Sequence, residues 1–256
     1  MVEYSLTDSV AEIVLNDPSK LNALDEAGLA ELGAAYSRAE ADGARAVILR
    51  GEGRAFCAGR DISHVDPATE DAFGFLDGLV TPLLHRISEF PAPTFAVATG
   101  ACLGVGLGLL VASDVVYVAD TARIGSPFAN LGATLDSGGH ALFYERLGAH
   151  RTLDLIYTAE LMTGAEAVAL GLFSRVVPAD EVLSFTRERA ARAASAATGA
   201  FLASKRLVQR LRDERLGFWD AVAAENRAQA DLSATADYAE GFAAFREKRK
   251  PVFGSR

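Results

Sequence analysis

GEGRAFCAGRDI, Gly51–Ile62, follows directly on the apolar run Ala46–Leu49, and together they read as a buried strand that empties into a glycine loop. The pattern returns at TGACLGVGLGLL, Thr99–Leu110, which follows the apolar run Thr94–Ala98 and carries glycines at 100, 104, 106 and 108. Open α/β sheets place ligands at the carboxyl ends of their strands. Glycine lets main chain approach a ligand closely. A helix starting near Leu103 would also offer free N–H groups and the positive end of its dipole to an oxyanion. Each segment has a plainer reading beside this one: a turn for the first, close helix packing through small residues for the second. Neither holds GxGxxG with an acidic residue about twenty positions on, which argues against a dinucleotide fold.

Outward from these loops, Tyr4–Leu6 and Val10–Leu15 read as a hairpin around Thr7-Asp8-Ser9. Asp25 can cap a helix whose apolar stripe is Leu29, Leu32, Ala35, Tyr36 and Ala39. A helical segment is expected over Glu70–Ile87, a strand at Val115–Val118 and a further helix after Gly139. This alternation predicts an α/β core with largely parallel strands. Strand signals cease from about Asp180, and the remainder reads as helices with two aromatic stripes, one at Trp219, Val222 and Ala223, the other at Tyr238, Phe242 and Phe245. These suit packing surfaces, within the chain or on a neighbouring subunit.

Half of the 256 residues are apolar, enough for a large core. The net charge of −9, from 25 Lys+Arg against 34 Asp+Glu, argues against nucleic-acid binding. The only dense basic run is Arg246–Lys250, either a solvated end or a local site for a polyphosphate. Cys57 and Cys102 lack metal-ligand spacing, so neither zinc nor a disulfide framework is expected. With no apolar leader and an apolar stretch broken by glycines, the expectation is a cytoplasmic protein without a membrane span.

Taken together the two loops resemble the paired oxyanion-loop motifs of the crotonase, or enoyl-CoA hydratase/isomerase, superfamily. The resemblance extends through DPSKLNALD (Asp17–Asp25), the Ser113-Asp114 end of the glycine helix, LMTGAEAVALGLFSRVV (Leu161–Val177) and ADYAEGFAAFREKRKPVF (Ala236–Phe253). It implies the crotonase (ClpP-like) fold, a spiral of ββα units over residues 1–190 with a helical trimerisation region over 191–256, assembled as a homotrimer or dimer of trimers. It also implies an acyl-CoA substrate, with coenzyme A entering as part of the thioester rather than as a cofactor. Carried over by position, the N–H groups of Ala58 and Val105 would stabilise the thioester enolate, with Gly59 and Gly104 beside them. Two such donors are worth about 3–4 kcal/mol each. Lys20, Leu21 and Ala23 match a segment on the adenine and pantetheine side, Arg60 and Ile62 flank the coenzyme, Asp61 shapes its loop, and Lys248 or Arg249 could meet a phosphate.

Hydratases of this family carry two glutamates where this chain has Gly108 and Phe128, and neither of these can move a proton. Eight residues after Phe128 comes Asp136, in FANLGATLDSGGH, where dienoyl-CoA and 1,2-epoxyphenylacetyl-CoA isomerases place an aspartate. One carboxylate suffices to move a proton between carbons of an enolate, and Leu131, Leu135 and Phe128 would raise its pKa. The same Asp136, ahead of Ser-Gly-Gly and an apolar run, is also a good helix N-cap. The expected function is therefore an acyl-CoA isomerase. The alternatives are an atypical hydratase, a dehalogenase-like hydrolase or a catalytically silent CoA binder. Of the four histidines, His64 and His140 lie nearest these segments, and His85 and His150 read as helix-surface residues.

Overall fold

The computed structural model describes residues 1–254. Strands β1 (Val2–Thr7) and β2 (Val10–Leu15) form the hairpin, closed by Asp8 and Ser9 at φ +48° and +63°. Two left-handed residues in succession give a turn whose twist matches that of the strands it joins. Helix α1 (Glu26–Ala41) begins at Asp25, whose carboxylate accepts from the Gly28 N–H at 2.8 Å, and it buries the predicted stripe. Strand β3 (Ala46–Gly51) follows. The expected helical segment is α2 (Ala72–Phe75), a π turn over Leu76–Val80, and α3 (Thr81–Ser88).

Strand β4 (Thr94–Ala98) leads to a short strand β5 (Ala101–Leu103), so helix α4 starts at Val105 and runs to Ala112, two residues later than its glycines suggested. Next come β6 (Val115–Ala119), β7 (Arg123–Gly125), a 3-10 turn over Phe128–Leu131 and α5 (Gly139–Thr158), which kinks at Gly148. Then follow β8 (Met162–Thr163), α6 (Gly164–Ala169), β9 (Arg175–Val177) and α7 (Val182–Ala194).

The strands form a six-stranded sheet in the order β1-β2-β3-β4-β6-β9, parallel after the first pair, and a smaller sheet β5-β7-β8. Each round leaves a long strand in the large sheet and a short one in the small: β4 then β5, β6 then β7, and after β3 the single bridge from Cys57 to Cys102. This is a ββα spiral. Helix α7 closes the large sheet, where the Phe185 ring meets Tyr117 edge-on at 5.0 Å. Every residue of β4 is buried, as in parallel strands covered on both faces.

Beyond α7 lie α8 (Thr198–Asp213), α9 (Phe218–Ser233) and α10 (Ala236–Glu247). The aromatic stripes are covered only in part: Val222, Ala223 and Tyr238 are half-buried, while Trp219 is 78% exposed and Phe245 85%. Among the described residues, no helix is long and apolar enough to cross a membrane.

Candidate active site

The loops after β3 and β4 meet through two glycines. Gly59 has φ +102°, and a Cβ on it would stand 2.9 Å from the Leu103 carbonyl oxygen. Gly104 has φ +53°, and a Cβ there would stand 2.9 Å from Cζ of Phe128 and 3.8 Å from Cα of Gly59. No side chain fits between the two segments. The residues that follow, Arg60 and Val105, are thereby held as neighbours. Val105 is the first residue of α4, so its N–H has no partner within the helix.

Ala58 does not offer the free amide expected of it. Its N–H donates to the Leu21 carbonyl at 3.0 Å. Strand-like alternation explains the difference. The Leu24 N–H donates to the Gly59 carbonyl at 2.8 Å and the Leu24 carbonyl accepts from the Asp61 N–H at 2.9 Å, a parallel bridge opposite Arg60. Leu24 thus uses the groups on either side of Arg60, and the Arg60 N–H points the other way, without a partner among the described residues. The amide available in this loop lies two residues beyond the one anticipated.

The Arg60 side chain is drawn off by the helix opposite. Its guanidinium pairs with Glu70 and lies 3.7 Å from the centroid of the Phe75 ring, an arrangement that favours a cation over the ring face. Lys20 Nζ is 2.7 Å from Asp61 Oδ2, and Asp61 Oδ1 accepts from the Ser63 N–H at 2.9 Å and its hydroxyl at 2.6 Å. The Lys20 bond, with those from Ser63, holds the Asp61 carboxyl well below the usual carboxylate range. Asp61 therefore shapes its loop, and Lys20 is tied to it. Ile62 and Leu131 are exposed, while Leu21, Ala23 and Phe128 are half-buried. At the far end of the chain, Arg249 pairs with Glu240 and Glu247.

Asp136 does not cap α5. The capping position is Gly138, left-handed at φ +85° and without a side-chain cap, and Asp136 contributes only its carbonyl, to the Gly139 N–H at 2.9 Å. Its side chain points elsewhere: Oδ1 is buried and unpaired among the described residues. Burial raises its pKa, against smaller opposing effects of the nearby Ser137 hydroxyl and of His140. A Cβ built on Gly108 would lie 2.4 Å from Cβ of Ser137, so the Asp136–Ser137 turn packs on α4 one helical turn beyond Val105. His64 and His150 are exposed, and His85 is 3.5 Å from Glu89.

Asn22 escaped the sequence reading. It is fully buried at φ +57°, its Nδ2 donates to the carbonyls of Glu52 and Ala55 at 3.0 and 2.8 Å, and its Oδ1 accepts from the Asp17 N–H at 2.8 Å. One side chain thus ties the Asp17–Asp25 segment to the first glycine loop. An asparagine between two loops is the residue type that tolerates this conformation, which was the available signal. Asn22→Ala is expected to cost about 2–4 kcal/mol, because three backbone groups lose their partner, and urea denaturation of the variant measures it.

Two surface concavities lie apart from these loops. One of about 380 Å³ sits among α8, α9 and α10, and one of about 1350 Å³ lies between α8 and the α4–α5 side of the core. Neither is lined by Arg60, Val105 or Asp136, the groups with unpaired polar atoms that a reacting substrate would need.

The ββα spiral and its paired glycine loops have known counterparts. The model described as enoyl-CoA hydratase/isomerase matches residues 5–256. The chain belongs to that family. Among its relatives, a Rhodobacter capsulatus protein named probable enoyl-CoA hydratase is 35% identical over 255 residues, covering 100% of this chain and 98% of its own. The 1,2-epoxyphenylacetyl-CoA isomerase of Escherichia coli is 29% identical, with 99% of each chain covered. The crystal structure of an enoyl-CoA hydratase from Mycobacterium smegmatis matches with a TM-score of 0.89 at 27% identity, covering 99% of both chains. The fold of this hydratase/isomerase family member is the crotonase fold, and it is an enzyme of a family that acts on acyl-CoA substrates.

Proposed function

We propose that this enzyme is an acyl-CoA isomerase whose thioester enolate is held by the N–H groups of Arg60 and Val105 while Asp136 moves the proton. The observation that carries the reading is the partly buried carboxylate of Asp136, its Oδ1 unpaired and its pKa raised, one turn of α4 from the Val105 amide. The carbon next to a thioester carbonyl, and the one beyond it, fall within reach of a group so placed. Loss of a proton at one carbon and its return at another shifts the double bond with a single base. Hydration needs a second group to position water, and neither Gly108 nor Phe128 supplies one. The hydratase reading is favoured by the names of most relatives.

Incubation of a β,γ-unsaturated acyl-CoA with the enzyme in D2O separates the two. Migration of the double bond with deuterium uptake supports the isomerase. Addition of water to the α,β-enoyl-CoA at a comparable or greater rate supports the hydratase. Coenzyme binding on the Lys20–Leu21–Ala23 side, and burial of the aromatic faces of α9 and α10 in a homotrimer or dimer of trimers, belong to the same proposal.

The raised pKa of Asp136 has two consequences of definite sign. As a base it works when ionised, so the acid limb of kcat/KM is expected above the value of about 3.9 of an ordinary aspartate, measured as a pH–rate profile. For stability, the folded chain holds this proton more tightly than the unfolded one. The carboxyl's contribution is then fully present below the unfolded pKa and is lost as pH rises through the folded one. Asp136→Asn is therefore expected to raise Tm relative to the parent at about pH 8 more than at about pH 4. An equal change at both pH values contradicts it.

A further inference from the structure

We infer that Ser137 is a specificity-determining residue whose hydroxyl donates a hydrogen bond to an oxygen carried on the acyl chain of the substrate, distinct from the thioester oxygen. The inference rests on the isomerase reading for the place of the acyl chain, and adds to it a substrate class: acyl-CoA esters with an oxygen function near the reacting carbons.

Three observations support it. Ser137 Oγ is buried and has no hydrogen-bond partner among the described residues, although buried hydroxyls ordinarily find one. The Oδ1 of its neighbour Asp136 is unpaired as well, so two adjacent polar atoms are left without a hydrogen bond, although the hydroxyl lies near enough to Asp136 to lower its pKa. Second, Ser137 is left-handed at φ +52°, between Asp136 and a left-handed Gly138. Glycine would take that conformation without strain, yet the chain carries a hydroxymethyl group there. Third, α4 makes room for it. A Cβ on Gly108 would stand 2.4 Å from Cβ and 3.2 Å from Oγ of Ser137, so this side chain needs a glycine opposite.

The position fits an acyl-chain contact. Gly108 is three residues along α4 from Val105, about 4.5 Å along the helix axis. A hydroxyl packed there lies beyond the carbonyl oxygen by roughly the span of the next two carbons. A donor at that point suits an epoxide, hydroxyl or keto oxygen and gives a plain alkyl or alkenyl chain nothing to bind.

The test is a comparison of two ligands with no double bond to migrate, butyryl-CoA and 3-hydroxybutyryl-CoA, titrated calorimetrically into the parent, Ser137→Ala and Ser137→Gly. The glycine variant is suited to the left-handed backbone and guards against loss of fold. The parent is expected to bind the hydroxylated ester about three- to tenfold more tightly, the usual worth of one neutral hydrogen bond. Both variants are expected to lose that preference while keeping the butyryl-CoA affinity. A preference unchanged in the variants, or absent from the parent, overturns the assignment of Ser137. Failure of both esters to bind the parent overturns instead the acyl-CoA reading that underlies the isomerase one. A merely structural role for Ser137 would shift both affinities together and leave their ratio alone.

Discussion

Asp136→Asn is expected to lower kcat for double-bond migration about a thousandfold while the affinity for the acyl-CoA changes little. Positioned acid–base groups contribute about 10²- to 10⁴-fold, and neither Gly108 nor Phe128 can take over. Asparagine keeps the size and polarity of the carboxylate, so the turn onto Gly108 should persist. The loss then falls on kcat rather than on KM, as for a group whose interaction is made in the transition state. Deuterium uptake from solvent into the bound ester should vanish with it. A variant that still exchanges protons at the parent rate would move the base elsewhere, and exposed His140 would be the next residue to replace.

The second large effect is expected from Val105→Pro. Proline is favoured at the first position of a helix, where the N–H it lacks has no helical partner, so α4 should form as before. The substitution deletes one of the two amides proposed to hold the enolate oxygen, and loss of one such donor costs about 10²- to 10³-fold in kcat. Val105 is 1% exposed, so the lost side-chain volume has its own cost in stability. Val105→Ala isolates it. Alanine removes the methyl groups and keeps the N–H, and the ratio of the two variants' kcat values reports the amide alone. Equal activity in both would place the oxyanion contact away from α4.

Much of this molecule is legible before folding because its signals are local. The Asp25 cap, the stripe from Leu29 to Ala39 and the apolar runs of β3 and β4 each depend on neighbours in sequence, and each appears in place. What escaped depends on pairing. The loop Gly51–Ile62 announces that backbone amides matter, but whether Ala58 or Arg60 has the free one is decided by Leu24, far back in the chain, through the bridge that engages Gly59 and Asp61. Alternation across a strand leaves no trace in the strand's own residues. Asp136 posed a similar ambiguity, since cap and base share a residue type. The cap is excluded by the left-handed Gly138, which takes the capping position and leaves Oδ1 of Asp136 buried. Asn22 acts through a positive φ and through partners distant in the chain, and Ser137 shares the positive φ, properties their residue types permit but do not declare.

The contact between Gly59 and Gly104 divides the labour of evolution in this enzyme. The machinery that would polarise the thioester is made of main chain pressed on main chain, and a mutation there that adds a carbon meets the Leu103 carbonyl or the Phe128 ring. The positions proposed to choose the proton's route lie on separate turns, the bare Cα of Gly108 on α4, the Phe128 ring on its own short turn and the Asp136 carboxylate ahead of α5. Drift can rewrite those side chains codon by codon without disturbing the backbone contact. A lineage with this architecture inherits its electrophile activation intact and acquires new reactions by exchanging the few side chains around it.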